Sequence, residues 1–171
     1  MIRPNGISLF AALFAVLFLC AGRAQAADIG GTISSTLTIT ENSQLVDDVT
    51  CTVTGAACIA IGSPHVTLEL NGFSITGQAD PQTACSGAGT GPEIGIDVST
   101  QMDATIHGPG LVKQFRGFGI RLLNSTGSSI TGVTVSTNCF SGIFVTGGSG
   151  HQLDRNIAVR NGNVSNPCGG I

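Results

Sequence analysis

The chain has 171 residues, a formal charge of −3 and 25 glycines, and it contains neither Trp nor Tyr. After residue 26, ten acidic side chains face five basic ones, a formal charge of −5. No basic surface is therefore available for a phosphate backbone, and nucleic acid is not expected as a partner. The many Gly, Ser, Thr and Asn residues, together with β-branched residues and few charges, indicate short strands joined by tight turns.

The first 26 residues have the pattern of a secretory signal peptide. Arg3 provides the positive start, residues 7–19 form an apolar run, and Ala24-Gln25-Ala26 has the small-x-small form of a cleavage site. We expect cleavage after Ala26, which leaves 145 residues, enough for one domain. The apolar run is shorter than the roughly 20 residues that span a bilayer, and no later run reaches that length. The mature chain is therefore predicted to be secreted or periplasmic, without a membrane segment.

Residues 27–58 are interpreted as an N-terminal cap with the first strands. Residues 36–40 alternate between Thr and aliphatic side chains, as expected of a strand with one buried face. A polar break at residues 41–43 precedes another short apolar segment. A cap of this kind would cover the open end of a stacked β structure.

The remaining part of the chain, residues 59–171, is organised around residues 66–77. Alternating apolar and polar side chains over residues 66–70 predict a strand, and Asn71-Gly72 turns the chain into a second short strand. Strand, sharp turn and strand together form one side of a coil.

A motif of the form Gly-Ile-x-Val then recurs, with Leu in place of Val in one copy. Its isoleucines are Ile96, Ile120 and Ile143, separated by 24 and 23 residues. A fixed period of this size marks a solenoid. We take Ile59 as the equivalent position of the first copy and predict about five to six coils. Residues 168–171 repeat the start of the motif and then stop, so the C-terminal end of the stack is expected to be incomplete.

An insertion interrupts the repeat at residues 78–93. From Ile59 to Ile96 the chain runs 37 residues, which is 13 more than the regular period. The stretch is rich in Pro, Gly, Ala, Ser and Thr and has no apolar period. It is therefore predicted to leave the stack as a mobile loop, and loops on a rigid scaffold are common sites of function.

Asn138 and Asn161 lie 23 residues apart in predicted turns. This period would place one amide above the other in successive coils, where side-chain amides can hydrogen-bond along the stack axis. We interpret this pair as structural.

Residues 66–77, the recurring Gly-Ile-x-Val strands and the Asn-bearing turns resemble the right-handed parallel β-helix repeat proteins of the pectate-lyase-like superfamily. The resemblance covers most of residues 28–171. It implies an all-β fold in which each coil contributes three short strands to three parallel sheets, stacked about 4.8 Å apart. The superfamily includes polysaccharide lyases, hydrolases and alginate epimerases as well as members of unknown role, so the resemblance implies the fold more strongly than any one reaction.

In such a stack, alternation along the strands places an outward column at Ala60, Asp97, Arg121 and Phe144. Lyases of the superfamily use several carboxylates to hold calcium and an Arg or Lys as the base. The resemblance thus points to Asp97 and Arg121 as catalytic candidates, and to calcium as a cofactor by resemblance alone. The alternative is a surface ion pair worth under about 1 kcal/mol, since the column offers only one carboxylate.

A second outward column is predicted at Glu69, His107, Thr131 and Asp154. The carboxylate of Glu69 would favour the charged imidazole of His107 and could make it a tuned general base. The alternative is that both side chains are simply solvated on an outer face.

Five cysteines follow the signal peptide, and an exported chain meets an oxidising compartment in which pairing is the default. Cys51 and Cys58 enclose a turn and are expected to bridge it. Cys139 and Cys168 fall near the same corner of successive coils, which would bring their Cα atoms to about 5 Å, within disulfide range. This pairing leaves Cys85, in the insertion, as the odd cysteine.

Two functions remain open. The first is the binding or processing of an extracellular or cell-envelope polysaccharide, in a groove along the column of Asp97 and Arg121 beneath the insertion. If the chain is an enzyme, the resemblance implies lyase, hydrolase or epimerase chemistry. The second is a non-catalytic extracytoplasmic structural or protein-interaction module. The lack of Trp and Tyr counts against sugar binding, because sugar rings commonly stack on large aromatic faces. The sequence leaves the oligomeric state open.

Overall fold

The structure, a computed structural model, describes residues 26–79, 93–162 and 170–171. All regular secondary structure within these residues is β-strand, so the predicted all-β class is confirmed. No helix there is long and apolar enough to cross a membrane. The predicted signal peptide, apart from Ala26, lies outside the described residues. In chain order the strands are β1 (Ala27–Ile33), β2 (Leu37–Ile39), β3 (Ser43–Cys51), β4 (Ala57–Ile61), β5 (Thr67–Glu69), β6 (Ser74–Thr76), β7 (Ile94–Ser99), β8 (Thr105–Lys113), β9 (Ile120–Leu123), β10 (Ser129–Ser136), β11 (Ile143–Thr146), β12 (Gln152–Asp154) and β13 (Ile157–Val159).

The strands form two parallel sheets. The larger sheet has the order β1-β3-β5-β8-β10-β12, with β6 paired to β3 and β8, and β13 paired to β10. The smaller sheet has the order β2-β4-β7-β9-β11. In both sheets, as far as they are described, each strand pairs with a strand that is not its neighbour in the chain. This arrangement is compatible with a β-helix-like solenoid.

The resemblance implied three sheets, whereas the described strands form two. Three long strands account for the difference: β3, β8 and β10 have nine, nine and eight residues. Each of them pairs along one half with β5 or β12 and along the other half with β6 or β13. Because these strands continue across a corner at which their partners break, two faces of the stack are joined into one sheet.

The isoleucines of the repeated motif form one buried column. Ile59, Ile96, Ile120 and Ile143 pair in register along the smaller sheet, and none is more than 1% exposed. Burying a side chain of this size stabilises the fold by about 1.5–3 kcal/mol relative to leaving it exposed. The predicted register and the inward direction of the isoleucines are therefore confirmed.

The predicted asparagine ladder is also confirmed. Nδ2 of Asn138 donates to Oδ1 of Asn161 at 2.9 Å, and Oδ1 of Asn138 accepts from the backbone N–H of Phe115 at 3.0 Å. Asn138 is buried, so these bonds satisfy polar groups that would otherwise be left without a partner.

The glycine of the repeated motif is needed because an asparagine packs against it. Nδ2 of Asn161 donates to the backbone oxygen of Val135 at 3.0 Å, and a Cβ added at Gly142 would lie 2.6 Å from that nitrogen. The same relation recurs one layer away, where a Cβ added at Gly119 would lie 2.7 Å from Nδ2 of Asn138. The motif glycine and the turn asparagine thus form one packing unit.

Ala79 and Glu93, near the two ends of the insertion predicted at residues 78–93, pack into the body of the stack. Ala79 is buried, and its N–H donates to the backbone oxygen of Gln114 at 2.7 Å. Glu93, at the other end, is also buried. Residues 80–92, and with them the predicted mobility of the loop, lie outside the described residues.

A disulfide joins Cys51 and Cys58, as predicted, with their Cα atoms 5.9 Å apart. It closes the turn between β3 and β4. Cys139 is also disulfide-bonded. Cys85 and Cys168 lie outside the described residues, so the bridge from Cys139 to Cys168 stays a prediction.

Candidate functional site

Asp97 and Arg121 lie in the predicted outward column, on β7 and β9 of the smaller sheet. Nε and Nη2 of Arg121 donate to Oδ1 and Oδ2 of Asp97 at 2.8 and 2.9 Å, a bidentate ion pair. The hydroxyl of Ser99 donates to the same carboxylate at 2.9 Å. The side chains of Asp97 and Arg121 are only 14% and 22% exposed. The pair is therefore more buried and better oriented than the solvent-exposed contact that the sequence suggested.

Calcium, the cofactor implied by the resemblance, does not fit this column. Both carboxylate oxygens of Asp97 already accept hydrogen bonds, from Arg121 and from Ser99. Ca²⁺ takes about six to eight oxygen ligands. No group of three or more His, Cys, Asp or Glu side chains in the described part of the chain could hold a metal. The guanidinium beside the carboxylate would also repel a cation.

Three phenylalanines cluster beside this ion pair. Phe144 follows Arg121 in the outward column and pairs with it in register. The ring of Phe118 stacks on the ring of Phe144, with centroids 4.4 Å apart and planes inclined by 17°, and the ring of Phe140 lies 5.6 Å from that of Phe118 at 57°. All three side chains are partly exposed. We call Phe118, Phe140 and Phe144 the aromatic cluster.

A second ion pair lies where the insertion rejoins the smaller sheet. Nε of Arg116 lies 3.2 Å from Oε2 of Glu93, without the alignment of a hydrogen bond, and the two side chains are 30% and 4% exposed. The backbone oxygen of Glu93 accepts from the N–H of Gly117 at 2.9 Å, and the oxygen of Gly117 accepts from the N–H of Phe140 at 2.9 Å. Backbone hydrogen bonds thus connect this pair directly to the aromatic cluster.

Glu69 and His107 also meet as predicted, but on β5 and β8 of the larger sheet. Oε2 of Glu69 lies 2.8 Å from Nδ1 of His107, and the side chains are 39% and 50% exposed. Nδ1 of His107 is therefore engaged by the carboxylate of Glu69. A pair this exposed contributes under about 1 kcal/mol to stability.

A shallow recess of about 250 Å³ opens beside His107. Its lining residues are His107, Gly108, Pro109, Thr131, Gly132 and Arg155. The guanidinium of Arg155 is already bound to the carboxylate of Asp154 at 2.8 Å. The recess therefore offers one imidazole, one hydroxyl and the remaining N–H groups of Arg155, but no carboxylate, so it lacks the groups for paired acid and base chemistry.

The pKa of Asp48, on β3, is held below its ordinary value of 3.8. The backbone N–H and the hydroxyl of Ser74 donate to Oδ1 of Asp48 at 2.8 and 3.0 Å and stabilise the charged carboxylate. Asp48 lies on the larger sheet and belongs to neither predicted column.

The four predicted site residues therefore form two pairs on different sheets rather than one site. Sequence reasoning placed Phe144 in the outward column but missed its contact with Phe118 and Phe140. The available signal was the period: Phe118 lies two residues before one motif isoleucine, and Phe140 lies three residues before the next.

No model of a known protein family, no curated protein and no solved structure matches this chain. Inferences about its function therefore rest on the geometry of its own residues.

Proposed function

We propose that the chain is an exported right-handed parallel β-helix of the pectate-lyase-like type, with about five to six coils, that binds an extracellular or cell-envelope polysaccharide. The binding surface would be the outer face of the smaller sheet. The observation that carries the proposal is the aromatic cluster next to the bidentate pair of Asp97 and Arg121.

The two parts of this surface match the two kinds of surface on a sugar. The apolar C–H faces of a pyranose ring pack on partly exposed aromatic rings, which the aromatic cluster supplies. Sugar hydroxyls need oriented donors, and Arg121 has three N–H groups beyond the two that bind Asp97. Because Asp97, whose carboxylate also accepts from Ser99, holds the guanidinium in place, little conformational entropy is lost when a ligand binds to it.

Binding, rather than cleavage, is the activity that these side chains support. Acid and base catalysis of glycoside cleavage needs two suitably spaced carboxyl groups, or a free base beside a bound cation. In its described layers the outward column contains Thr38, Ala60, Asp97, Arg121 and Phe144, and its single carboxylate is occupied by Arg121.

Two features support export. Strand β1 begins at Ala27, the residue that would follow cleavage of the signal peptide. The disulfide between Cys51 and Cys58 is compatible with an oxidising compartment.

The test measures binding of the purified protein to a panel of soluble polysaccharides by affinity gel electrophoresis and calorimetry. Phe144→Ala should weaken binding about tenfold, since an aromatic contact of this kind is worth about 0.5–1.5 kcal/mol beyond its buried area. Phe73→Ala is the matched control, because Phe73 is a partly buried phenylalanine in the turn between β5 and β6. Equal losses from the two variants would contradict the proposed surface.

A protein-interaction module is the second candidate. Ile157 and Val159, on β13, are exposed and alternate with Ala158, which packs against the core. Exposed apolar side chains of this kind favour contact with another protein. Failure of the whole polysaccharide panel, together with concentration-dependent association in light scattering, would favour this candidate.

A further inference from the structure

Two arginines lie beside the aromatic cluster, and each is neutralised by a carboxylate that is more buried than the arginine itself. Arg121 is 22% exposed and its partner Asp97 is 14% exposed. Arg116 is 30% exposed and its partner Glu93 is 4% exposed. The surface therefore has cationic donors but no net positive charge.

Two other cations lie elsewhere on the described stack, and the charge of one of them, Lys113, helps to lower the pKa of the Asp48 carboxyl. Lys113 lies at the end of β8, on the larger sheet, and Arg160 follows β13. Neither has a carboxylate within ion-pair distance among the described residues, but both lie outside the smaller sheet that carries the aromatic cluster. The residues after the signal peptide have a formal charge of −5, which adds a long-range repulsion for a polyanion.

We infer that the polysaccharide bound by the smaller sheet is an uncharged one, recognised through ring faces and hydroxyls, and not a polyuronate or a sulfated glycan. This inference rests on the proposed function. An incoming carboxylate would have to share Arg121 with Asp97, and two carboxylates a few ångströms apart repel each other strongly in a partly desolvated site. A hydroxyl oxygen can instead accept from the remaining N–H groups of Arg121 and leave the bidentate pair intact.

The hydrogen-bond pattern explains why charge, and not polarity, would be discriminated. Oδ1 and Oδ2 of Asp97 each accept from Arg121 and lie within bonding distance of the hydroxyl of Ser99. The carboxylate is therefore nearly saturated, while the guanidinium retains free donors. A ligand that brings neutral acceptors complements this arrangement, whereas one that brings anions competes with Asp97.

The experiment compares polysaccharides that share a backbone and differ in charge. Suitable pairs are fully methyl-esterified and de-esterified homogalacturonan, and hydroxyethyl and carboxymethyl cellulose. Binding of the purified protein to each member is measured by affinity electrophoresis and calorimetry at about 20 mM and about 200 mM NaCl. The uncharged member of at least one pair should bind at least about tenfold more tightly than its charged form, with an affinity that changes less than about twofold with salt.

Asp97→Asn provides the matched variant, because it preserves the shape of the side chain and removes its charge. Freed from its neutralising partner, Arg121 should bind the charged polysaccharide about tenfold better than in the unmodified protein, and that binding should weaken with salt. Circular dichroism checks that the variant is folded, and if it is not, the salt series on the unmodified protein still decides.

Three results can follow. Preference for the uncharged member supports the inference. Equal or tighter binding of the charged member, weakened by salt, overturns the inference while leaving polysaccharide binding in place. Failure of both members of every pair to bind overturns the proposed function and the inference with it.

Discussion

Replacement of Asn138 by alanine should be among the most damaging polar substitutions in the described stack. The buried amide accepts from the N–H of Phe115 at 3.0 Å and donates to Oδ1 of Asn161 at 2.9 Å. Alanine would leave the N–H of Phe115 buried without a partner, which costs about 1–3 kcal/mol, and would remove a second bond worth about 1 kcal/mol. We expect a total loss of about 3 kcal/mol, equivalent to a fall of about 6–12 °C in the thermal midpoint.

The matched control is Asn42→Ala. Oδ1 of Asn42 also accepts from a backbone N–H, that of Thr67 at 2.9 Å, but this bond is exposed and water can replace it. The control should lose less than about 1 kcal/mol. Urea denaturation followed by circular dichroism gives both free energies of unfolding. If Asn138→Ala costs no more than Asn42→Ala, burial of the ladder does not stabilise the stack and the reasoning is wrong.

Three further predictions concern stability. Gly142→Ala should destabilise by more than about 1 kcal/mol, since its Cβ would lie 2.6 Å from two neighbouring side chains, whereas Gly170→Ala, whose Cβ meets no atom within 4 Å, should have little effect on urea unfolding. Ile120→Asp should cost more than about 4 kcal/mol in the same assay, because it buries a charge. Arg121→Ala should cost about 1–2 kcal/mol, because it leaves the partly buried carboxylate of Asp97 without its cation. Equal losses would refute the assignment of Ile120 to the inward face and Arg121 to the outward face. The lowered pKa of Asp48 stabilises the folded state at pH values above the ordinary Asp pKa, and this stabilisation is lost as the pH falls through the lowered pKa of the folded state. Asp48→Asn should therefore reduce the loss of unfolding free energy between about pH 5 and pH 1. An unchanged dependence of stability on pH in this range would contradict the prediction.

The inward side of the smaller sheet could be predicted because packing restricts it. Ile96, Ile120 and Ile143 lie at the same position of successive layers, where only an aliphatic side chain fills the space between its neighbours. Residue type and spacing therefore repeat together, and the repeat reveals the register. The asparagine ladder was predictable for the same reason, since Asn138 and Asn161 must each satisfy buried backbone groups at an equivalent turn.

The aromatic cluster could not be predicted by the same reasoning. Alternation of side chains applies along a strand, but Phe118 and Phe140 precede β9 and β11, in turns whose backbone directions follow no period of two. The role of Glu93 was missed for a related reason. A polar residue beside a Gly-rich and Pro-rich stretch has the sequence pattern of a loop residue. The burial of Glu93 is explained only by the proximity of Arg116, which lies 23 residues later in the chain. Contacts across turns depend on tertiary structure, which the local pattern does not contain.

The two faces of the smaller sheet obey different constraints, and this difference favours a chain-like ligand. The inward column repeats one residue type, whereas the outward column changes from Ala60 to Asp97, Arg121 and Phe144 in successive layers. Because parallel strands lie about 4.8 Å apart, these side chains form a row along the stack rather than an enclosed pocket. A compact ligand would contact only one or two layers of such a row. An extended polymer can contact the ion pair and the aromatic rings at the same time, so that several weak contacts within one ligand add up to useful affinity.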